Sequence, residues 1–174
     1  MDVPLAEQDR LGVRMAPGFR LPRKRGCSTG QDGLMTRFAV RPAGLDDLDA
    51  VLDLWRSAAE NESRPADTRE AVFAVLERDP AALLVAVSDT ELIGSLIAGW
   101  DRWRAHLYRL AVRPDYRRRG VGQALLEAAE ARLAGLGARR FDAMVLDGNE
   151  LGRRLWQAAG YRRQDDWRRW VKAA

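Results

Sequence analysis

The chain has a single cysteine, Cys27, and a single histidine, His106. One cysteine cannot close an internal disulfide, and this pair falls short of the donor set of a structural zinc site, so no metal is expected. Lysine is almost missing too: Lys24 and Lys172 are the only two, and arginine carries the rest of the positive charge. No run approaches the roughly 20 apolar residues that span a bilayer. The first residues carry charge but lack the apolar core of a secretory signal. These absences lead to the expectation of a cytoplasmic protein without membrane attachment.

What is present is ordinary globular material. The 174 residues are 47% apolar, enough for one domain with a buried core. The net charge of +4 raises the question of a nucleic-acid partner. Counting by segment weakens that reading. Residues 1–34 hold six basic and four acidic side chains, which leaves 23 basic and 21 acidic in residues 35–174. The body is nearly neutral, so pairs such as Arg139-Arg140 and Arg168-Arg169 read as solvated surface.

Residues 1–34 lack any sustained period of 2 or 3.6 and have the composition of a disordered extension. The pattern changes at Met35, where a domain over 35–174 is expected to begin. Phe38 and Val40 alternate as in a strand, and Leu45, Leu48, Leu52 and Trp55 recur at helical spacing. Asp67 and Glu70 have capping-box spacing ahead of a second helix. Two apolar runs separated by Asp89-Thr90 read as a hairpin, and "HLYRLAV" as a further strand. Simple alternation along it would put His106, Tyr108, Leu110 and Val112 on one face. Helices follow near 121–135 and 149–159, with a strand at "RRFDAMVL" between them. The tail "YRRQDDWRRWVK" adds one or two strands. The expectation is a mixed, mostly antiparallel sheet of six to seven strands flanked by about four helices, an α/β (α+β) architecture.

The stretch "RPDYRRRGVGQALL" carries the chemistry. A strand, a short arginine-rich turn with Gly120 and Gly122, and then a helix make an anion site, because the first N–H groups of a helix lack internal partners and its dipole is positive there. Glycine lets a phosphate approach the backbone. Neither the P-loop pattern nor the dinucleotide fingerprint is present at this turn.

The spacing Arg117-x-x-Gly120-x-Gly122 is the R-x-x-G-x-G signature of the GNAT superfamily of N-acetyltransferases. "LYRLAVRPDYRRRGVGQALL" is similar to that superfamily's central strand, loop and helix. "DGNELGRRLWQAAGY" resembles its later helix, and "TRFAVRPAGLDDLDAVLDLW" its first strand and helix, so the likeness covers about residues 36–172. It implies acetyl-CoA as cosubstrate and an amine as acceptor: a small molecule, an amino acid or a protein N-terminus. Backbone groups of Leu110, Ala111 and Val112 would pair with the pantetheine arm. Arg117, Arg118, Arg119, Gly120, Val121, Gly122 and Gln123 would cradle the pyrophosphate, and Asn149 would contact the pantetheine, a role compatible with capping the fourth helix.

Transfer in this superfamily is generally direct, so a neutral amine and an oxyanion donor are required. A backbone N–H at Val112 is the expected donor. Candidate catalytic side chains are His106, Tyr108 and Glu60, with Asp101 in a neighbouring loop. Trp55, Trp100 and Trp103 are candidates for the walls of an acceptor pocket, although Trp55 on its apolar stripe also reads as core. Where many relatives carry a tyrosine to protonate the departing thiolate, this chain has Trp156, whose indole is no usable acid near neutral pH. A non-catalytic acetyl-CoA-binding module and a basic nucleic-acid-binding protein are the rival readings, and monomer and homodimer both stay open.

Overall fold

The computed structural model describes residues 37–58 and 66–172. The extension expected over residues 1–34, its boundary at Met35, and the candidate Glu60 lie outside the described residues.

Five strands form one sheet in the order β1 (Ala39–Pro42), β2 (Leu83–Ser88), β3 (Glu91–Trp100), β4 (Ala105–Val112) and β5 (Phe141–Ala143). The first three pairings are antiparallel and the last is parallel. Helices α1 (Leu48–Ser57) and α2 (Arg69–Arg78) cover one face, and α3 (Val121–Gly135) covers the other. A further helix, α4 (Glu150–Ala158), adds Trp156 to the α3 side. Cover on both faces explains why β2 and β3 read as continuous apolar runs rather than as alternating ones. Leu83, Val85 and Ile97 meet α1 and α2, while Leu84, Ile93 and Leu96 meet α3. On α3, Leu125, Leu126 and Leu133 are fully buried, each contributing roughly 1.5–3 kcal/mol of hydrophobic stabilisation.

Local rules set the helix ends, with some departures from expectation. A 3-10 turn over Leu45–Asp47 precedes α1, and it leaves Leu45 exposed while Leu48, Val51, Leu54 and Trp55 form the buried stripe. The Asp47 carboxylate accepts the Gly44 N–H at 2.7 Å and pairs with Arg41 at 2.6 Å. The cap of α2 is Thr68, whose hydroxyl accepts the Ala71 N–H at 3.2 Å. Asp67 instead forms an ion pair with Arg109. Helix α4 begins at Asn149, whose side-chain oxygen accepts the Gly152 N–H at 2.7 Å.

The sheet has fewer strands than the six to seven expected. Among the described residues no strand follows α4, and β5 is only three residues long. In residues 162–172 both alternating faces are mostly charged, so neither register offers an apolar face to bury. Trp167 and Trp170 stay exposed there, and Arg163 reaches Asp147 and Asp165 instead of a strand partner.

Candidate active site

The decisive feature is a bulge in β4. Ile97 lies opposite Tyr108 and Ser95 opposite Ala111, so Arg109 and Leu110 together face the single residue Leu96. Arg109 sits at φ 55°, a left-handed conformation usually left to glycine. The extra residue shifts the alternation. Leu107, Leu110 and Val112 all pack on the α3 side, whereas Ala111 packs with the α1–α2 cluster. The single face expected for His106, Tyr108, Leu110 and Val112 is therefore broken between Tyr108 and Leu110.

The same bulge decides which backbone groups are available. The Arg113 N–H donates to the Ile93 carbonyl at 3.0 Å. Bonded and non-bonded pairs alternate along an antiparallel ladder, so Ser95–Ala111 is a bonded pair and Gly94–Val112 is not. The N–H and C=O of Val112 thus point away from β3, toward the β5 side, and by the same alternation so do those of Leu110. Ala111 is turned inward to the β3 ladder. On the β5 side, pairing runs from Ala105–Phe141 to Leu107–Ala143 and stops there. Beyond Leu107, β4 carries an edge with no strand partner among the described residues.

That edge leads into the arginine-rich turn. A 3-10 turn at Pro114–Tyr116 is followed by Arg118 at φ 60° and Gly120 at φ 79°, and α3 starts at Val121. Gly120 occupies the cap position with no side chain to satisfy the first N–H groups of α3, so they are left for a ligand or for water. The Arg117 Nε donates to the Val112 carbonyl at 3.2 Å, tying the turn to the open edge. The Arg119 guanidinium lies 5.4 Å from the Tyr116 ring centroid, and the Tyr116 hydroxyl donates to Glu91 at 2.9 Å. Gln123 donates to Glu127 one turn along α3. Gly122 has a second use. A Cβ there would come within 3.2 Å of Leu155 and 3.7 Å of Val112, so its smallness lets α3 approach α4 and β4.

Of the side chains expected to do chemistry, Tyr108 and His106 share one face of β4. Tyr108 directly precedes the bulge, half-exposed, with its ring against Gly99, and burial raises its pKa. His106 is exposed two residues earlier on the same face. Asp101 belongs to the β3–β4 turn, where its carboxylate accepts the Arg104 N–H at 2.5 Å and the Trp103 N–H at 2.7 Å. Those bonds hold its pKa below the usual carboxylate range. The three candidate wall tryptophans separate. Trp55 is buried in the α1–α2 core, Trp103 is 87% exposed at the turn, and Trp100 packs toward the α3 side. Trp156 is buried and meets Tyr161 edge-on at 4.8 Å. The Tyr161 hydroxyl donates to Glu130 at 2.7 Å.

Sequence reasoning missed Ser95 and Arg109, both tied to the bulge. The Trp55 indole N–H donates to the Ser95 hydroxyl at 2.8 Å, and that hydroxyl donates to the Arg109 carbonyl at 3.1 Å. A serine inside an otherwise apolar strand was the only available signal. Nothing in the sequence announces a left-handed arginine.

A family model described as Acetyltransferase (GNAT) family matches residues 48–161, about two thirds of the chain. The chain belongs to this family. The acetyltransferase SG1711 of Sodalis glossinidius is 33% identical over 127 residues, covering 72% of this chain and 88% of that one. Among solved structures, the PaiA N-acetyltransferase of Thermoplasma acidophilum in complex with coenzyme A superposes with a TM-score of 0.68. It is 21% identical, over 74% of this chain and 91% of that one. AAC(6')-Iy with the bisubstrate analogue CoA-S-monomethyl-acetylneamine gives 0.66 at 21% identity, over 79% of this chain and 99% of that one. The GNAT assignment makes this chain an acyltransferase of the acetyltransferase type. Among the described residues, no helix is long and apolar enough to cross a membrane.

Proposed function

We propose that the protein transfers the acetyl group of acetyl-CoA directly to a primary amine, with the cosubstrate lying along the open edge of β4 and across the start of α3. The observation that carries this reading is the continuity of two hydrogen-bonding surfaces, the open β4 edge and the start of α3. Outward-facing groups of Leu110 and Val112 run into a helix start at Gly120 that is flanked by Arg117, Arg118 and Arg119. The first suits an amide-bearing arm added like a strand. The second suits a pyrophosphate. Fold neighbours holding coenzyme A or a CoA-S-monomethyl-acetylneamine analogue support the ligand class.

In this reading the amine nitrogen attacks the thioester carbonyl carbon, the C–S bond breaks, and one proton passes in net from nitrogen to sulfur. The Val112 N–H stabilises the oxyanion, because it is fixed in the strand and turned to the open edge. Tyr108 keeps its proton near neutral pH and acts as the donor beside the bulge. His106, roughly 7 Å away along the strand, takes the proton shed by the amine. Asn149, which caps α4, contacts the pantetheine in this reading. The acceptor is a small amine, an amino acid or a protein N-terminus.

Thermal stability with acetyl-CoA, repeated with a DNA oligonucleotide, followed by an amine panel read as free thiol, tests the proposal. Stabilisation by acetyl-CoA alone and thiol release with at least one amine are expected. Binding without release from any amine would leave a non-catalytic binding module, and stabilisation by DNA alone would overturn the reading.

A further inference from the structure

We propose that Arg109 and Ser95 are positioning residues, a clamp that holds the β4 bulge in the shape the transfer step needs. This rests on the assignment of the open β4 edge to acetyl-CoA. A non-glycine residue at φ 55° costs roughly 1–3 kcal/mol and persists only where its surroundings over-determine it. Contacts among the described residues do so here. Arg109 pairs with Asp67, just ahead of α2, and its guanidinium lies 5.4 Å from the Trp55 ring centroid on α1. Its carbonyl accepts the Ser95 hydroxyl.

The direction of that last bond is fixed. The indole of Trp55 can only donate, so it occupies a lone pair of Ser95 and leaves the hydroxyl proton for Arg109. Ser95 is fully buried in a strand whose other inward residues are apolar, and its hydroxyl serves these two partners. The clamp grips Arg109, which with Tyr108 separates the last position paired to β5, Leu107, from the first free one, Leu110. Without the extra residue, the free groups at this edge would belong to Arg109 and Ala111 rather than to Leu110 and Val112. Side chains from α1, β3 and the α2 approach therefore set which amides meet the acyl group, although none of them lies on the open edge.

Arg109→Gly separates this role from folding. Glycine relieves the left-handed conformation, which offsets part of the cost of unpairing the nearly buried Asp67 carboxylate, while the grip of Asp67 and Trp55 is lost. Arg109→Gly and Ser95→Ala are measured beside wild type for amide hydrogen exchange over residues 108–113, acetyl-CoA Kd, and kcat for thiol release. The clamp predicts faster exchange at Ala111 and Arg113, the amides tied to β3 just after the bulge, with residues 105–107 unchanged. It also predicts a Kd close to wild type and a kcat lower by roughly tenfold to hundredfold, the scale of a misplaced reacting group. Arg109→Lys, which can still pair with Asp67, recovers part of the kcat. Wild-type exchange at 108–113 in both variants, or a wild-type kcat in Arg109→Gly, overturns the clamp. A wild-type protein that binds no acetyl-CoA overturns the assignment of the edge instead, and the exchange measurement still judges whether the clamp exists.

Discussion

Replacing Gly120 and Gly122 by alanine, one at a time, separates two reasons for glycine that the sequence motif merges. Gly120 has φ 79°, where a Cβ costs about 1–2 kcal/mol. For a domain of this size that lowers Tm by roughly 3–8 °C. Relieving the strain also moves the backbone that presents the first N–H groups of α3. Losing one hydrogen bond to a charged phosphate costs about 1.5–3 kcal/mol, so acetyl-CoA affinity falls roughly tenfold to hundredfold. At Gly122 the new Cβ meets Leu155 Cδ2 at 3.2 Å, the movable end of a side chain on α4. Alanine also gains up to about 1 kcal/mol of helix propensity over glycine. Gly122→Ala is therefore expected to keep its Tm and to bind acetyl-CoA within about threefold of wild type, a change of less than 1 kcal/mol. Calorimetric titration and thermal melts measure both. Wild-type affinity in Gly120→Ala, or a large loss in Gly122→Ala alone, would refute the division.

Three further outcomes are expected. Trp156→Phe lowers kcat less than about tenfold, while loss of a general acid typically costs 10²–10⁴-fold. Because Trp156 is buried against Tyr161, the same change costs about 1–3 kcal/mol of stability by melting. Tyr108→Phe, by contrast, lowers kcat for thiol release roughly a hundredfold or more with acetyl-CoA Kd unchanged; a wild-type kcat would exclude Tyr108 as the donor. The side-chain bond from Arg41, together with the Gly44 N–H, holds Asp47 below the usual carboxylate pKa. The stability it contributes is full above the unfolded value of about 4 and is lost as pH falls through the depressed folded value. Melts from pH 7 to pH 2 should show Asp47→Asn less stable at neutral pH and with a shallower acid decline than wild type.

The readable parts of this sequence are those in which local rules and burial agree. The Asp89-Thr90 hairpin, the helix opening at Gly120 and the cap at Asn149 each depend on a residue with a strong local preference, and each stands where expected. The bulge is different. Arg109 has no intrinsic reason to take φ 55°, and the contacts that impose it come from residues 55, 67 and 95, far apart in sequence. Alternation read straight through β4 therefore assigned Leu110 and Val112 to the wrong face. Asp67 satisfied the spacing of a capping box, yet an arginine from β4 claimed its carboxylate and Thr68 took the cap. Beyond α4, one or two strands were expected, but charge on both faces of residues 162–172 left nothing to bury.

The most direct test of the account is a crystal structure of the protein with coenzyme A. The account predicts the pyrophosphate against the N–H groups at Gly120–Gly122 beside Arg117–Arg119, and the pantetheine arm hydrogen-bonded to outward-facing groups of Leu110 and Val112. Coenzyme A bound elsewhere, or paired with Ala111 in place of Val112, would contradict it.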